Sequence, residues 1–560
     1  MLHMDKIKQG MVLRSVLLVV LIAALYGQFL WNPIVFDDLP FFMLDEQGHS
    51  NVLQYAVSFS LLQLRSLPYA TLAWTAQVFG YDLIGFRIGN LLLHAATVLA
   101  LFFFLSQLFE VALSKHAAQR KDGLNLHWAA FFAALLFGLH PVATYGAGYL
   151  VQRTIVMATL FTLLAMFAYV RGCARQKSSW LWASVFFYYL AVLSKEHAIM
   201  LPAVILVLTV LLHTDWMARI KKQWPLFAAY AAVAVFVLLA KKGIFGSVYE
   251  IDAPTILQNI NTEYTDIEYT YPLSILTQSW LFFKYWALWL FPNPAWMSVD
   301  MREPFASSFI SLYTLALFAF LLYGFLAIRL LLKRGTLGLL GFALLFPWLM
   351  FMTEFASVRI QEEFVLYRSY LWAVGAFALL PLVFWKVTKG GAMLMLGIVA
   401  LFMFAVSMER LSTFSHPLLL WDDAEKLVHG RSDLPGAYRI YYNRGTENIK
   451  IDRYDDAIRD LKRSIALYAD LPAAYGNLGA AYLKKGEFEN ALQAFTQAVQ
   501  RDEAKKSQPN VKHYQGRAMA NEALKNWAAA SEDYKISCKL GGRGCNKTNL
   551  PQISISPAAQ

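Results

Sequence analysis

The sequence predicts an all-α fold in which a polytopic bundle of about eleven membrane helices is followed by a helical-repeat solenoid. Three observations predict it. Hydrophobic residues make up 58% of the 560-residue chain, and charged residues make up only 16%. The apolar residues fall in runs of about 18–25, the length at which a helix crosses a bilayer. From Glu409 onwards the chain is polar and repeats itself.

The positive net charge of the chain, +11, does not indicate a nucleic-acid partner. Lys and Arg residues mark the ends of the apolar runs, as the positive-inside rule predicts for a protein surrounded by membrane lipids. No basic cluster accompanies a recognisable nucleic-acid motif. The three cysteines exclude a disulfide-dense scaffold, and none of them belongs to a metal knuckle. These observations indicate an α-helical membrane protein.

Basic residues orient the first half of the chain. Lys6, Lys8 and Arg14 place the amino terminus in the cytoplasm. The apolar run at 12–30 lacks a small-residue cleavage site, so it is predicted to be a retained signal-anchor. Residues 31–81 then form the first outside loop. Helices 2 to 7 are predicted at about 86–109, 128–149, 154–170, 181–193, 199–212 and 225–240.

The second half of the membrane region begins with a large outside loop at 243–308. This loop contains an apolar piece at 273–291. A spanning helix there would place the basic loop at 331–335 outside, so the piece is predicted to lie along the membrane surface or to be re-entrant. The membrane domain comprises residues 1–408, and the odd helix count places residues 409–560 outside. Helices 8 to 11 are predicted at about 309–332, 337–352, 370–385 and 393–408.

The polar region contains tetratricopeptide (TPR) repeats. Residues 471–502, LPAAYGNLGAAYLKKGEFENALQAFTQAVQRD, match the pattern, with small residues where paired helices approach and large ones that fill the gap. A unit at 441–467 repeats the scheme, and a degenerate third unit includes Tyr514 and Trp527. A few such repeats form a short solenoid whose concave face normally binds a protein or peptide.

Two cysteines, Cys538 and Cys545, lie in this predicted outside region. A disulfide between them is geometrically feasible in an oxidising compartment. Two unpaired thiols are an equally good interpretation, and the sequence leaves the choice open.

Ionisable residues at the ends of the predicted helices are the functional candidates, because such groups are costly near a bilayer. Simpler explanations exist: basic side chains snorkel to headgroups, a histidine before proline satisfies a helix break, and an aspartate caps a helix that begins at Pro40. Capping needs only one of two adjacent aspartates, which favours a functional role for the pair. The candidates at the outer face are Asp37, Asp38, Arg65, His140, Arg153, Lys195, Glu196, Arg359, Glu362, Glu363 and Arg368.

One chemistry uses such a set, the transfer of a sugar from a polyprenyl phosphate to a hydroxyl group. The hydroxyl loses a proton as it attacks the anomeric carbon, and a carboxylate, Asp37 or Asp38, is a suitable general base. The leaving phosphate favours nearby cations, for which Arg153, Lys195 and Arg368 are candidates. Adjacent carboxylates need not form the opposed pair of a retaining glycosidase, so a single displacement with inversion is predicted. Adjacent residues point in different directions, and Asp37 is the predicted base.

The FDD sequence at 36–38, which follows the first membrane helix and begins a long outside loop, resembles the GT-C superfamily of integral-membrane glycosyltransferases. The resemblance implies that an aspartate of this motif is catalytic and that the donor is a lipid-linked sugar. Further stretches are similar to the transmembrane-and-tetratricopeptide O-mannosyltransferases and their bacterial relatives. They are RSLPYATLAW (65–74), FRIGNLLLHAATVLALFFFL (86–105), LHPVATYGAGYLVQRTIVMATLF (139–161), SKEHAIMLPAVILVL (194–208), LYRSYLW (366–372) and LWDDAEKLVHGRSDLPGAY (420–438).

The resemblance also extends to individual residues of the family's motifs. Lys195 and Glu196 match a Lys-Glu pair of the family, and His140 with Pro141 matches a recurring His-Pro. At LYRSYLW relatives more often have Tyr-Leu-Pro, so the sugar, a hexose or a pentose, is left open. The residues predicted to bind the donor phosphate or sugar are Arg65, His140, Arg153, Lys195, Glu196, Arg359 and Arg368.

The predicted function is transfer of a sugar from a polyprenyl-phosphate donor to a hydroxyl of an exported protein that the TPR face presents. In a bacterium this places the enzyme in the inner membrane and its repeats in the periplasm. The alternatives are transfer to an envelope lipid or glycan, and a non-catalytic scaffold. A transporter is disfavoured because the membrane region shows no two related halves. No metal site is predicted, although a divalent metal at Asp37 or Asp38 stays an alternative.

Overall fold

The computed structural model describes residues 2–42, 59–117, 124–245, 247, 267–360, 362–504, 509–542 and 545–548. Within these ranges the chain forms helices and loops, and strand pairing is limited to an isolated antiparallel bridge between Met301 and Phe364. The all-α prediction is therefore confirmed. Parts of both predicted outside loops, 43–58 and 248–266, lie outside the described residues.

The α-helices divide into a membrane region, α1 to α17, and a polar region, α18 to α24. The first set is α1 Leu2–Tyr26, α2 Leu39–Phe42, α3 Ser66–Phe79, α4 Leu83–Ala117, α5 Leu126–Gly138, α6 Pro141–Ala147, α7 Arg153–Arg175, α8 Ser178–Ser194, α9 Leu201–Leu212, α10 Trp216–Lys222, α11 Trp224–Ala240, α12 Ile267–Leu290, α13 Leu312–Leu332, α14 Gly335–Phe351, α15 Ser369–Ala373, α16 Leu380–Val383 and α17 Lys389–Ser412. The second set is α18 Pro417–Val428, α19 Ala437–Lys450, α20 Tyr454–Leu467, α21 Pro472–Lys485, α22 Phe488–Ala504, α23 Val511–Ala523 and α24 Trp527–Lys539. Short 3-10 turns are Gly27–Phe29, Phe36–Asp38, Glu196–Met200, Pro294–Trp296, Met352–Phe355, Leu366–Arg368, Ala376–Leu379, Thr413–Ser415 and Cys545–Lys547.

The number of membrane spans differs from the predicted eleven. In the described part of the chain, six helices are long and apolar enough to cross a membrane, and counting three bent helix pairs as single spans gives nine. Two shorter apolar helices, Ser178–Ser194 and Glu196–Leu212, correspond to the predicted helices 5 and 6. The six are Gln9–Phe29, Leu83–Leu113, Arg153–Arg175, Leu312–Leu332, Gly335–Phe355 and Lys389–Ser415. About eleven spans is therefore not confirmed.

Two helices that the sequence predicts as continuous are broken. The predicted helix 128–149 bends by 65° between α5 and α6, because Pro141 at the start of α6 lacks the N–H that would continue the hydrogen-bond ladder. The predicted helix 370–385 bends by 46° near Gly375. A Cβ at Gly375 would lie 2.2 Å from the Phe346 ring, so glycine is what lets α14 pack against this break.

Buried polar side chains connect the helices of the bundle. The Nδ1 atom of His94 lies 2.6 Å from the hydroxyl of Tyr370, and its Nε2 atom lies 3.1 Å from the carbonyl oxygen of Gly138. One imidazole thus joins α4 to α15 and to the end of α5. Such bonds satisfy polar groups that have no water partner among packed apolar helices.

The helix pairs of the repeat region, residues 437–539, confirm the predicted solenoid architecture. They are α19 with α20, α21 with α22, and α23 with α24. Small residues permit the close approach: a Cβ at Gly479 would lie 2.8 Å from the Phe495 ring. Cys538 and Cys545 form a disulfide, with 5.1 Å between their Cα atoms, which decides between the two alternatives that the sequence leaves open.

The repeat region packs on the end of the bundle where the membrane helices meet their connecting loops. Tyr438 of α19 stacks on Tyr468 at a centroid distance of 4.6 Å and shares an apolar cluster with Leu273 and Phe305. Trp421 of α18 packs edge-on against Phe36, with 5.1 Å between ring centroids. The polar region, α18 to α24, is therefore held next to the loop that carries Asp37 and Asp38.

Candidate active site

The two adjacent aspartates lie on the 3-10 turn Phe36–Asp38, and this turn directs them to different surroundings. Phe36 has a φ of 46°, a left-handed conformation that costs a bulky residue about 1–2 kcal/mol. Its ring is held between Trp421 and Tyr149. The contacts of this ring stabilise the unfavourable turn.

Asp38 is fully buried and is used to hold the fold together. Its two carboxylate oxygens accept hydrogen bonds from the backbone N–H groups of Val151, at 2.8 Å, and Leu150, at 3.1 Å. Burial raises the pKa of Asp38 to about 6, while these hydrogen bonds and the neighbouring Arg87 oppose the rise. Both oxygens therefore anchor the loop to the chain that enters α7.

Asp37 is half-buried, and within the described part of the chain no group donates a hydrogen bond to its carboxylate. Burial, followed by the negative charge of Glu362 and of Asp38, raises the pKa of Asp37 to about 7. Arg439 acts in the opposite direction, and Asp300 adds to the rise. A carboxyl group with such a pKa exchanges protons readily at neutral pH.

Four basic side chains gather around Tyr367, which itself lies near Asp37. The ammonium group of Lys195 lies over the Tyr367 ring, 4.8 Å from its centroid, and donates to the side-chain oxygen of Gln152 at 3.3 Å. Burial and then the charge of Arg65 lower the pKa of Lys195 well below its usual value. The basic side chains are Arg65, Lys195, Arg359 and Arg368.

Two carboxylates, on Glu196 and Glu354, hold these cations in place. Arg65 donates two hydrogen bonds to Glu196, one of them at 2.8 Å. Glu354 is 3.0 Å from Arg368 and 3.4 Å from Arg359. The Glu354 side chain is nearly inaccessible to solvent, so these ion pairs are protected from screening.

A third carboxylate connects the basic cluster to Asp37. One oxygen of Glu362 lies 3.9 Å from Arg368, and the other lies 3.5 Å from Arg439 of α19. The neighbouring Glu363 differs, because it is fully buried, accepts a hydrogen bond from the backbone of Glu303, and has a pKa raised to about 8 by burial. Of this adjacent pair, only Glu362 therefore belongs to the cluster.

The structure thus brings together six of the nine residues predicted for the site. Glu362 and Tyr367 connect a base of suitable pKa to an array of prepositioned cations, an arrangement that can remove a proton on one side and bind an anion on the other. The six are Asp37, Arg65, Lys195, Glu196, Arg359 and Arg368.

Arg153 is not part of this cluster, although the sequence predicts that it contacts the phosphate. Arg153 is 2% exposed, and each nitrogen of its guanidinium donates within the bundle, to Asn90 at 2.7 Å, to the carbonyl oxygen of Phe86 and to two threonine hydroxyls. A Cβ at Gly89 would lie 2.7 Å from Arg153, so glycine makes the space for it. Because its donors are occupied, Arg153 joins helices and does not face a ligand.

His140 also lies outside the cluster. Its Nδ1 atom accepts the backbone N–H of Val142, which caps α6, and its Nε2 atom donates to the carbonyl oxygen of Trp289. The imidazole stacks on the Trp289 indole at 4.2 Å. Both nitrogens are therefore satisfied, and His140 is the polar residue at a helix break that the sequence offers as the simpler alternative.

Sequence reasoning missed several members of the cluster. Glu354 has a usable signal in the sequence, because it is an ionisable residue at the end of an apolar run. His197, which lies 3.4 Å from Glu354, also has one, because it directly follows Lys195 and Glu196 in the stretch SKEH (194–197). Tyr367 lies within the stretch LYRSYLW, which is similar to the family, although the resemblance assigns this tyrosine no role. Arg439 has no such signal, because it lies in a polar helix.

An aromatic cavity of about 180 Å³ adjoins the cluster. Its wall includes Ser369, which directly follows Arg368, and the Ser369 hydroxyl accepts a hydrogen bond from the Trp289 indole at 3.0 Å. The rest of the wall is apolar and comes from α12, α14 and the broken helix 366–383. The ring systems that line it are Phe282, Tyr285, Trp286, Trp289, Trp372 and Phe377.

Acidic, histidine and cysteine side chains do not combine into a metal centre in the described ranges. No group of three or more of them is arranged to hold an ion.

The fold and site define a helical membrane protein with an ionic cluster and a TPR region. Residues 121–240 match the family described as dolichyl-phosphate-mannose-protein mannosyltransferase, and residues 472–504 match the tetratricopeptide repeat. Together these matches support a GT-C O-mannosyltransferase-like protein with TPR repeats, and the resemblance stated from the sequence motifs is confirmed. They also support glycosyltransferase activity of the mannosyltransferase type.

Two other comparisons add no functional information. No curated protein matches the chain. Among solved structures, the crystal structure of the APC/C hetero-tetramer Cut9-Hcn1 matches at 14% identity, over 86% of this chain and 81% of that chain, with a TM-score of 0.21. A similarity that weak carries no argument about this protein.

Proposed function

We propose that this protein transfers a sugar from a polyprenyl-phosphate donor to a hydroxyl group of an exported protein, in one displacement with inversion. The observation that carries the proposal is the position of Asp37. Its carboxyl group has a pKa of about 7 and acts electrostatically on Tyr367, and Lys195 covers the ring of that same tyrosine. The proposed base and a buried cation thus both act on one aromatic residue.

Asp37 is the proposed general base. The acceptor oxygen forms a bond to the anomeric carbon, its proton passes to Asp37, and the bond from that carbon to the phosphate oxygen breaks. The electron pair of the broken bond leaves with the lipid phosphate. A base whose pKa lies near the working pH is partly ionised and still accepts a proton readily. Asp38 is unsuited to this role, because backbone N–H groups occupy both of its oxygens.

The basic cluster is the proposed site for the donor phosphate. Arg368 and Arg359 are held by Glu354, and Arg65 is held by Glu196, so their positions are set before the donor binds. Prepositioned donors lower the energy of a developing phosphate charge without reorganisation during the reaction. Lys195 adds a buried amine whose pKa is lowered by burial, and an anion bound next to it would favour its charged form.

The aromatic cavity is the proposed location of the first isoprene units of the lipid. It is almost wholly apolar, and Ser369 in its wall directly follows Arg368 in the chain. A lipid tail in this cavity would leave its phosphate at the basic cluster.

The disulfide supports an extracytoplasmic position for the repeat region. Disulfides persist in oxidising compartments and are rare in the reducing cytosol. The Cys538–Cys545 bond therefore favours the outer face, which for a bacterial protein is the periplasmic side of the inner membrane. An exported protein bound by the repeats would reach Asp37 from that side.

The direct test supplies purified protein with a radiolabelled polyprenyl-phosphate sugar and separates protein, glycan and lipid acceptors. Label in an exported protein supports the proposal, and label confined to envelope lipid or glycan supports the alternative acceptor. Arg368→Gln is expected to raise the KM for the donor at least about tenfold, because one charge-assisted contact is lost. Arg153→Gln is the matched control, since it removes an equally buried arginine outside the cluster. Equal effects of the two variants on KM would contradict the phosphate assignment.

A further inference from the structure

The acidic side of the site is shared between the membrane region and the repeat region. Arg439 belongs to the first turn of α19, and its guanidinium lies 3.5 Å from one oxygen of Glu362. The other oxygen of Glu362 lies 3.9 Å from Arg368. Glu362 is therefore bound from both sides, by one cation from each region.

The position of Arg439 is fixed by the way α19 begins. Gly436 precedes the helix with a φ of 70°, and a Cβ there would lie 2.3 Å from the guanidinium of Arg302. Arg302 itself is buried, pairs with Asp300 and donates to the carbonyl oxygen of Pro435 at 3.4 Å. Glycine is thus required here both by its backbone conformation and by the close approach of the arginine.

Arg439 is the cation in an otherwise acidic neighbourhood. Four charged side chains act most strongly on Asp37, and three of them are carboxylates. Two tyrosines, Tyr149 and Tyr367, also face it. The four charged side chains are Glu362 from the loop before α15, Asp38 from the same turn, Asp300 from the loop before α13, and Arg439 from α19.

We propose that the repeat region completes the active site, and that Arg439 is a positioning residue which holds Glu362 between itself and Arg368 and offsets the negative charge around Asp37. The repeats then have a second role besides binding an acceptor. Without α19 in place, Glu362 loses one of its two ion-pair partners, and Arg439 no longer offsets the carboxylates that act most strongly on Asp37. The effect of Arg439 on the rate of sugar transfer rests on the proposed function. Its effect on the proton affinity of Asp37 does not.

The first experiment measures the pH dependence of sugar transfer by the full-length protein. Arg439→Gln is expected to move the acid limb of the profile to higher pH, because Asp37 then holds its proton more tightly. On that limb one pH unit corresponds to a tenfold change in rate, so activity below the midpoint falls by about three- to tenfold. Arg439→Lys keeps the charge and is expected to restore most of the profile. Arg517→Gln is the matched control, because this similarly exposed arginine pairs with Asp533 inside the repeat region.

The second experiment does not depend on activity. A hydrophobic carbodiimide reacts with protonated carboxyl groups in apolar surroundings, and peptide mass spectrometry reports the labelling of Asp37 at each pH. The Arg439→Gln variant is expected to label at higher pH than wild type, and Glu362→Gln at lower pH, because it removes a negative charge from the same neighbourhood. The two variants are expected to shift the labelling midpoint in opposite directions. Either variant therefore tests the proposal by itself if the other fails to fold.

The outcomes separate the two proposals. A labelling midpoint that is unchanged or shifted downwards in Arg439→Gln, or unchanged in Glu362→Gln, overturns the role of Arg439. Shifts of the expected signs in a protein that transfers no sugar support the role of Arg439 and overturn the proposed function.

Discussion

Asp37→Asn is expected to make the protein more stable at neutral and alkaline pH. Burial, together with neighbouring carboxylates, raises the pKa of Asp37 from 3.8 to about 7. A carboxyl group whose pKa is raised by folding contributes its full stability below about pH 4 and loses it as the pH rises through about 7. Asparagine does not ionise, so the variant keeps this stability at higher pH.

The size of the effect follows from the same pKa. The rise from 3.8 to about 7 corresponds to about 4 kcal/mol, at about 1.4 kcal/mol for each unit. Because the side chain is only half-buried, solvent screening reduces this to about 2 kcal/mol. In a chain of 560 residues, that is a rise of about 2 °C in the apparent unfolding temperature.

Tryptophan fluorescence during heating of the detergent-solubilised protein measures this difference. Wild type and Asp37→Asn are expected to unfold at similar temperatures at about pH 4 and to separate by about pH 8. Asp433→Asn, an exposed carboxylate paired with Arg431, is the matched control and should show no such separation. A variant that is less stable than wild type at the higher pH would refute the reasoning, because it would mean that ionised Asp37 stabilises the fold.

Two further variants and one labelling experiment test other parts of the account. Glu354→Gln is expected to lower stability by about 3–5 kcal/mol and to raise the donor KM, because it leaves buried Arg368 without its carboxylate; an unchanged unfolding temperature would contradict this. Trp286→Ala is expected to weaken binding of long-chain donors more than that of donors with one isoprene unit, and an equal effect on both would exclude the aromatic cavity as the lipid site. In intact cells a maleimide should label Cys538 and Cys545 only after a reductant is added, and direct labelling would contradict the proposed oxidising compartment.

The helices and repeats could be predicted because their signals are local. Apolar run length defines a membrane helix, and Gly479 with its neighbours defines the helix pairing of a tetratricopeptide repeat. Pro141 is a local signal for a break, although the apolar pattern predicts one continuous helix at 128–149. The bend near Gly375 has no comparable local signal, because the close packing at this glycine involves the Phe346 ring on another helix.

The site could be predicted only in part, since its geometry depends on residues far apart in the chain. Asp37 and Asp38 have different surroundings because the backbone at Phe36 is left-handed, a conformation that the sequence does not predict for an aromatic residue. The Arg439–Glu362 pair joins positions 77 residues apart, and no local pattern encodes it. Arg153 is the opposite case, a residue that the sequence predicts for the site and that the structure places outside the cluster. A buried structural arginine and an arginine that binds phosphate look alike in sequence.

The rate of sugar transfer by Asp37→Asn tests the central claim most directly. It is to be measured with a saturating polyprenyl-phosphate sugar and an exported acceptor protein, on material whose folding and donor affinity are shown to equal those of wild type. The proposed role as general base predicts a loss of about 10²- to 10⁴-fold in kcat with donor binding retained. Transfer at the wild-type rate would contradict it.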